Sequence, residues 1–247
     1  MTRVWEKFLT ERDKEHFAAS GRGDRAPKGF GRRPAIIVVD DYYSSVGHVR
    51  QPLMESIKTW PGSCGLDGWE AIDRTAELLD VARPLGTPIV YVHSMEDFPF
   101  HWGGRPMQSV GGPALPEHLQ AMANEIVAEV APQPGDLVLE KNGPSAFHRT
   151  PLQDYLVALG VDTILVVGES TSGCVRATVV DGTSLRYKVG VVEECVFDRT
   201  EACHAINLLD MHLKYADVIN LVATCAFLRQ VSAPERTSQV ATEMLSA

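Results

Sequence analysis

The sequence predicts an α/β protein: a three-layer, doubly wound sheet of six mostly parallel strands with helices on both faces. Short runs rich in Val, Ile and Leu alternate with longer amphipathic stretches, a pattern typical of parallel strands buried on both faces. The chain has 247 residues, 45% of them hydrophobic, so it can bury such a sheet within one large domain.

The predicted strands and helices alternate through the middle of the chain. The predicted strands are 35–40, 88–93, 136–141, 163–168, 188–196 and 218–221. The predicted helices are 69–85, 116–130, 151–159, 172–187 and 201–215. We expect them to form one domain over 33–232, preceded by an N-terminal arm (1–32) with a charged helix at 6–19, and followed by a polar tail (233–247).

Composition narrows the class of protein. With 23 basic and 32 acidic residues the formal charge is −9, which disfavours binding to nucleic acid or to an anionic membrane. The apolar runs are too short to span a bilayer, and the polar N-terminus does not resemble a secretory signal. The five cysteines are odd in number and form no CxxC pair, which opposes a disulfide framework or a Cys-rich zinc site. We expect a cytoplasmic enzyme.

No cofactor or metal is expected. The sequence has no GxGxxG after its first predicted strand and no GxxxxGK[ST], so a dinucleotide or P-loop site is unsupported. His93, Asp97 and His101 are of metal-ligand type, but they lie in a mixed polar segment where such residues occur by chance. A nucleotide-dependent oxidoreductase is therefore the weakest of the functional hypotheses.

Reactive side chains follow three of the predicted strands. Asp40 and Asp41 end the first strand, Lys141 ends the third, and Cys174 lies just past the fourth. Ligands of open parallel sheets bind at the carboxyl ends of the strands, so these groups are expected to share a cleft. Strand alternation directs one of the two aspartates into that cleft and the other away from it.

Cys174 is predicted to occupy the first turn of a helix, where backbone N–H groups lower a thiol pKa and can bind an oxyanion. A lysine would favour the thiolate, and a carboxylate could take the thiol proton and pass it to a leaving amine. Taken singly, Cys174 could equally be a packed thiol, Lys141 a solvated charge and Asp40 a capping residue. The alternative to an enzyme is a small-molecule binding protein with an unreactive Cys174.

These motifs resemble the isochorismatase-like cysteine hydrolases, and within them the N-carbamoylsarcosine amidase branch, over about residues 33–222. AIIVVD matches the family's catalytic aspartate at Asp40, and KNGPSAFHRTPL matches its lysine at Lys141. The Gly-x-x-Thr-x-x-Cys context of the nucleophile is matched through Cys174, and TSGCVRATVVDG and PGSCG look like that branch.

The resemblance implies a cysteine amidohydrolase that cleaves a small linear amide or ureide through a thioester or thiocarbamate on Cys174. It also implies a cis peptide bond between Glu169 and Ser170, and an oxyanion hole made of the backbone N–H groups of Ser170 and Cys174. N-carbamoylsarcosine is the leading substrate. Biuret, triuret, ureido acids and maleamate-like half-amides fit the same chemistry. A homo-oligomer, specifically a tetramer with the arm across a neighbour, is implied as well.

Substrate contacts are predicted at six positions. Arg199 corresponds to a position suited to a substrate carboxylate, the alternative being an ion pair with Asp198 or Glu201. Thr171 belongs to the nucleophile motif, and Tyr42 lies where VVDDYY departs from the family's VxDMQ pattern. The remaining predicted contacts, in an aromatic loop that could instead serve subunit contact, are Phe98, His101 and Trp102.

Overall fold

A parallel sheet of six strands forms the centre of the computed structural model, which describes residues 3–21, 26–94 and 115–232. The strands are β1 (Pro34–Val39), β2 (Ile89–Ser94), β3 (Leu137–Lys141), β4 (Thr163–Glu169), β5 (Lys188–Phe197) and β6 (Asp217–Ile219). Their order is β3-β2-β1-β4-β5-β6, and every neighbouring pair is parallel. The chain winds outward from β1 in both directions, which confirms the predicted doubly wound fold.

Helices connect and cover these strands. They are α1 (Glu11–Ser20), α2 (Tyr43–Val46), α3 (Leu53–Ser56), α4 (Gly65–Ala82), α5 (Glu117–Met122), α6 (Leu152–Ala158), α7 (Arg176–Ser184), α8 (Glu201–Lys214) and α9 (Leu221–Ser232). Single 3-10 turns occur at Glu6–Phe8, Arg83–Leu85 and Ala128–Val130, and a π-helical turn at Thr171–Val175. In the described ranges no helix combines the length and the apolar character that crossing a membrane requires.

Two hydrophobic cores enclose the sheet, and β1 contributes to both of them. Its alternating residues Ala35, Ile37 and Val39 pack in one core with side chains of α6, α7 and α8. Ile36 and Val38 pack in the other core with side chains of α4 and α9. Every residue of β1 is buried, which accounts for its continuous apolar sequence. The three-layer prediction is therefore confirmed.

The predicted helix over 116–130 is wrong in its second half. Helix α5 ends at Met122, after which the chain extends and Ile126 forms an antiparallel bridge with Tyr42. The N–H of Val127 donates to the carbonyl of Asp41 at 3.0 Å. This return to the end of β1 replaces helical hydrogen bonds, and it depends on a partner that periodicity cannot reveal.

Side-chain caps set two further helix boundaries. The predicted helix over 6–19 begins only at α1, because Thr10 and Asp13 form a reciprocal capping box there. Helix α9 is absent from the prediction, although Asn220 marks its start by accepting the N–H of Ala223 at 2.7 Å. Both signals are present in the sequence and lie outside the apolar periodicity.

Part of the predicted arm packs on its own domain. Arg3 forms an ion pair with Glu193 of β5 at 2.7 Å, and the ring of Trp5 lies 5.6 Å from that of His212. Further along, the carboxylate of Asp217 accepts the N–H groups of Lys28 and Gly29 at 3.0 and 2.8 Å. These contacts attach both described portions of the segment to the β5–β6 edge of the sheet.

Gly168 pairs with Val39, and here the backbones of β1 and β4 lie close together. Its φ is +105°, and a Cβ at this position would lie 2.0 Å from the carbonyl oxygen of Val39. No side chain fits there, so glycine is required by both conformation and space. The close approach carries the residues after β4 next to the end of β1.

The carboxyl group of Asp41, the residue after Asp40, is buried as well. Its residue is 2% exposed, and neither oxygen has a hydrogen-bond partner within the part of the chain that the structure describes. Burial, followed by the charges of Asp40 and Glu169, raises the pKa of Asp41 well above its usual value. The group is therefore protonated in the folded protein at neutral pH and ionised in the unfolded chain.

We expect Asp41→Asn to raise the free energy of unfolding by about 2 kcal/mol near about pH 8. Because the pKa of Asp41 is raised in the folded state, folding at a pH above the unfolded-state pKa requires this carboxylate to take up a proton, which costs free energy. The amide of Asn carries no titrating proton and therefore removes this cost. The gain should vanish near about pH 4, where the carboxyl is protonated in both states. Urea unfolding monitored by circular dichroism at the two pH values measures it.

Asp162→Asn is the matched control with the opposite sign. Burial acts to raise the pKa of Asp162, but hydrogen bonds from the Arg32 N–H, the Thr163 hydroxyl and the Arg33 N–H lower it overall. Removing this charge should destabilise the protein at neutral pH and less so in acid. If Asp41→Asn were destabilising at about pH 8, an ionised and paired Asp41 would be indicated instead.

Candidate active site

The side chains of Asp40, Lys141 and Cys174 meet at the carboxyl end of the sheet. Asp40 follows β1, Lys141 is the last residue of β3, and Cys174 lies in the π-helical turn after β4. Lys141 Nζ lies 2.8 Å from Asp40 Oδ2 and 3.3 Å from Cys174 Sγ. The Lys141 and Asp40 side chains are 2% and 4% exposed, so their ion pair is buried. The structure thus brings together the three groups that the sequence predicts to converge.

Backbone geometry and a tyrosine hold Asp40 in place. Its φ of +57° lies in the left-handed region, which residues other than glycine rarely adopt and which is concentrated at functional sites. The Tyr42 hydroxyl donates to Asp40 Oδ1 and accepts the N–H of Ser94. Burial and the Asp40 charge raise the pKa of Tyr42, so the phenol keeps its proton. Tyr42, predicted as a substrate contact, lines the cavity and also fixes Asp40.

The expected lowering of the Cys174 thiol pKa is wrong. Burial and the negative charge of Asp40 raise the pKa of Cys174 to about 12, and the positive charge of Lys141 offsets only part of this rise. The turn leaves the thiol half-buried against the apolar core, so desolvation outweighs the nearby ammonium and N–H groups. At neutral pH the free protein therefore holds a thiol rather than a thiolate.

Lys141 is charged despite its burial. Desolvation acts to lower its pKa, but the charge of Asp40 and the hydrogen bonds to Asp40 and Cys174 raise it overall. An ammonium between a carboxylate and a sulfur stabilises negative charge on either group. The cluster can therefore move a proton from sulfur to Asp40 while its net charge stays constant.

The strand-to-helix turn after β4 has the predicted backbone conformation. The peptide bond between Glu169 and Ser170 is cis, which confirms that prediction. The carbonyl of Ser170 accepts the N–H groups of Gly173 and Val175 at 2.9 and 3.1 Å. Ser170 and Cys174 both line the cavity. Their own N–H groups remain predicted oxyanion donors.

Thr171 anchors this turn from beneath instead of contacting the cavity. Its side chain is fully buried, and its hydroxyl oxygen lies 3.1 Å from the carbonyl oxygen of Phe197 and 2.9 Å from His204 Nδ1. Asp198 adds a second anchor by accepting the N–H of Ser172 at 2.7 Å. The prediction of a substrate contact at Thr171 is thus replaced by a structural role, because the side chain is directed toward β5 and α8.

A cavity of about 790 Å³ is lined in part by Cys174. Asp40, Tyr42, Glu169 and Arg199 line it together with residues of the nucleophile turn. Its size is within the range of small-molecule sites. Another cavity of about 510 Å³, between the N-terminal segment and α8, contains none of the three clustered side chains.

Arg199 lies at this cavity, but its ion-pair partner differs from both alternatives considered. Its Nη1 lies 2.5 Å from Glu169 Oε1, whereas Asp198 accepts its backbone N–H and Glu201 pairs with Lys7. Sequence reasoning missed Glu169, although a carboxylate after six largely apolar strand residues is an available signal. The predicted contacts Phe98, His101 and Trp102 lie outside the described residues.

The pH dependence of Cys174 alkylation tests the raised thiol pKa. We expect the rate with iodoacetamide to rise about tenfold per pH unit from about pH 7 to about pH 9. The reason is that the thiolate fraction increases about tenfold per pH unit as long as the pH is well below the pKa. Mass spectrometry of the Cys174 peptide measures the rate, with the exposed Cys203 as an internal reference for the reagent. A plateau below about pH 8 would indicate a thiolate in the free protein.

Together the fold and this cluster define an α/β protein with a cysteine, a lysine and an aspartate at its sheet edge. The isochorismatase domain family matches residues 64–222. The maleamate amidohydrolase of Pseudomonas putida is 36% identical over 194 residues, covering 77% of this chain and 84% of that protein. The N-carbamoylsarcosine amidase of an Arthrobacter species is 30% identical over 203 residues, covering 80% and 72%.

A solved isochorismatase family protein from Desulfovibrio vulgaris superposes with a TM-score of 0.67 at 27% identity, covering 80% of this chain and 99% of that one. The chain belongs to the isochorismatase family. Its named relatives are amidohydrolases, and it is a hydrolase of the same broad class, acting on carbon–nitrogen bonds.

Proposed function

We propose that the protein hydrolyses a small linear amide or ureide through a covalent intermediate on Cys174. The observation that carries this proposal is the position of the Lys141 ammonium, 2.8 Å from the Asp40 carboxylate and 3.3 Å from the Cys174 sulfur. This arrangement supplies a nucleophile, a proton acceptor and a fixed positive charge beside one cavity.

Attack and deprotonation occur together in the proposed mechanism. Because the Cys174 thiol is protonated at rest, Asp40 accepts its proton as the sulfur bonds to the substrate carbonyl carbon. The charge of Lys141 stabilises the developing sulfur anion. The carbonyl oxygen becomes an oxyanion, for which the N–H groups of Ser170 and Cys174 are the proposed donors.

Collapse of this tetrahedral adduct completes acylation. Asp40 returns its proton to the amide nitrogen, the carbon–nitrogen bond breaks, and ammonia leaves. The acyl group remains on sulfur as a thioester, or as a thiocarbamate when the substrate is a ureide. Water then attacks this carbonyl with Asp40 as the base, which releases the acid or carbamate and restores the thiol.

The substrate class follows from the relatives and from Arg199. Two relatives are named after maleamate and N-carbamoylsarcosine, and each of these compounds combines a terminal C(=O)NH2 group with a carboxylate. We propose that this protein takes substrates of that size, with the Arg199 guanidinium close to the end remote from the reacting amide. N-carbamoylsarcosine and maleamate head the panel, with biuret, triuret and ureido acids as alternatives. Ammonia release over the panel identifies the substrate.

We expect Cys174→Ala to lower turnover of the best substrate by at least about 10³-fold, because the methyl side chain cannot form the covalent intermediate. Asp40→Asn should cause a loss of about 10³-fold by removing the proton acceptor. Coupled detection of ammonia measures both variants, and circular dichroism checks that they fold. Cys203→Ser, at an exposed free cysteine outside the cavity, is the matched control and should keep wild-type turnover. Wild-type turnover by Cys174→Ala would refute the proposal.

A further inference from the structure

The ion pair between Glu169 and Arg199 places two opposite charges on the wall of the cavity. Glu169 is the last residue of β4, its side chain is 7% exposed, and its Oε2 accepts the Ser45 hydroxyl at 3.3 Å. The Arg199 side chain is 46% exposed, so its guanidinium can approach a bound molecule. Both residues line the cavity that contains Cys174.

The pair determines the charge that a substrate meets at this wall. An unpaired guanidinium would attract a carboxylate strongly, but the buried carboxylate at 2.5 Å offsets much of that field. Of the other charged residues on the cavity wall, Asp40 pairs with Lys141 and Arg176 pairs with Asp210, and Asp181 adds a further carboxylate. The cavity wall therefore has no excess positive charge when all of these side chains are ionised.

A purely structural role explains Glu169 poorly. Burial raises the pKa of Glu169 to about 7 although the charge of Arg199 lowers it, so the protein stabilises this carboxylate incompletely. Buried ion pairs contribute little net stability compared with neutral residues of similar size. A carboxylate at position 169 is explained better if its charge influences which molecules bind in the cavity.

We propose that Glu169 is a specificity-determining residue that offsets the charge of Arg199 and thereby weakens the enzyme's selection for anionic over neutral amides. The inference rests on the proposed function. In the wild-type enzyme, neutral amides and ureides should therefore compete with amido acids for the cavity. The Glu169 charge makes this possible by offsetting the charge of Arg199.

The test uses two compounds that differ in one group: maleamate carries a carboxylate where maleamide, its neutral diamide, carries a second amide. Initial rates per cleavable amide are compared, because hydrolysis of maleamide produces maleamate. For each variant the ratio of kcat/KM for the anion to kcat/KM for the neutral compound is measured by ammonia release. Glu169→Gln should raise this ratio about tenfold, and Arg199→Gln should lower it about tenfold. The double variant restores charge balance, so its ratio should return to within about threefold of wild type. Glu201→Gln, an exposed carboxylate paired with Lys7 outside the cavity, is the matched control and should leave the ratio unchanged.

An unchanged ratio in Glu169→Gln, or a ratio that moves the same way in both single variants, overturns the inference. If Glu169→Gln alone fails to fold, the effect of removing the Glu169 charge is measured by comparing Arg199→Gln with the double variant. Equal ratios in those two proteins then overturn the inference. Absence of ammonia from every compound of the panel refutes the proposed function, and the inference with it. Turnover with unchanged ratios refutes the inference alone.

Discussion

The buried ammonium of Lys141 is the interaction on which the site depends. An ammonium in a protein interior is costly unless opposite charges and hydrogen bonds compensate it. Here the compensation comes from Asp40, on another strand, and from the sulfur in the turn after β4. Each of the three segments must end at the right depth for these atoms to meet, so the register of β1, β3 and β4 is a requirement of the chemistry.

The junction between β1 and β4 provides that placement. Gly168 allows the two strands to approach more closely than any side chain would permit, and the left-handed backbone of Asp40 follows directly after β1. Both features are local departures from regular strand geometry at the carboxyl end of the sheet, where the register of β4 and β5 also shifts between Val166 and Gly168. Thr171 and Asp198 then fix the turn that carries Cys174 from the side of β5.

Much of the fold and the three clustered residues could be predicted, because parallel strands bring their carboxyl ends to one edge of the sheet. Apolar runs gave the strands, and the reactive residues Asp40, Lys141 and Cys174 followed from their position after those runs. The direction of the thiol pKa could not be predicted, since it depends on how deeply the sulfur is buried and how close Asp40 lies.

The pairing of Glu169 with Arg199 could not be predicted from the sequence either. These residues are distant in the chain, and each has nearer opposite charges or neighbours that suggest other partners. The helix expected over 116–130 failed for a similar reason, because its second half forms hydrogen bonds with the end of β1. Such long-range polar contacts do not produce a periodic pattern in the sequence.

The protonated state of Cys174 bears on the chemical durability of the protein. Peroxides oxidise cysteine through the thiolate, so a half-buried thiol whose pKa is raised reacts slowly with them. In the proposed mechanism the sulfur loses its proton only as it bonds to a carbonyl carbon. Between turnovers, the protonated sulfur is therefore expected to form sulfenic acid slowly.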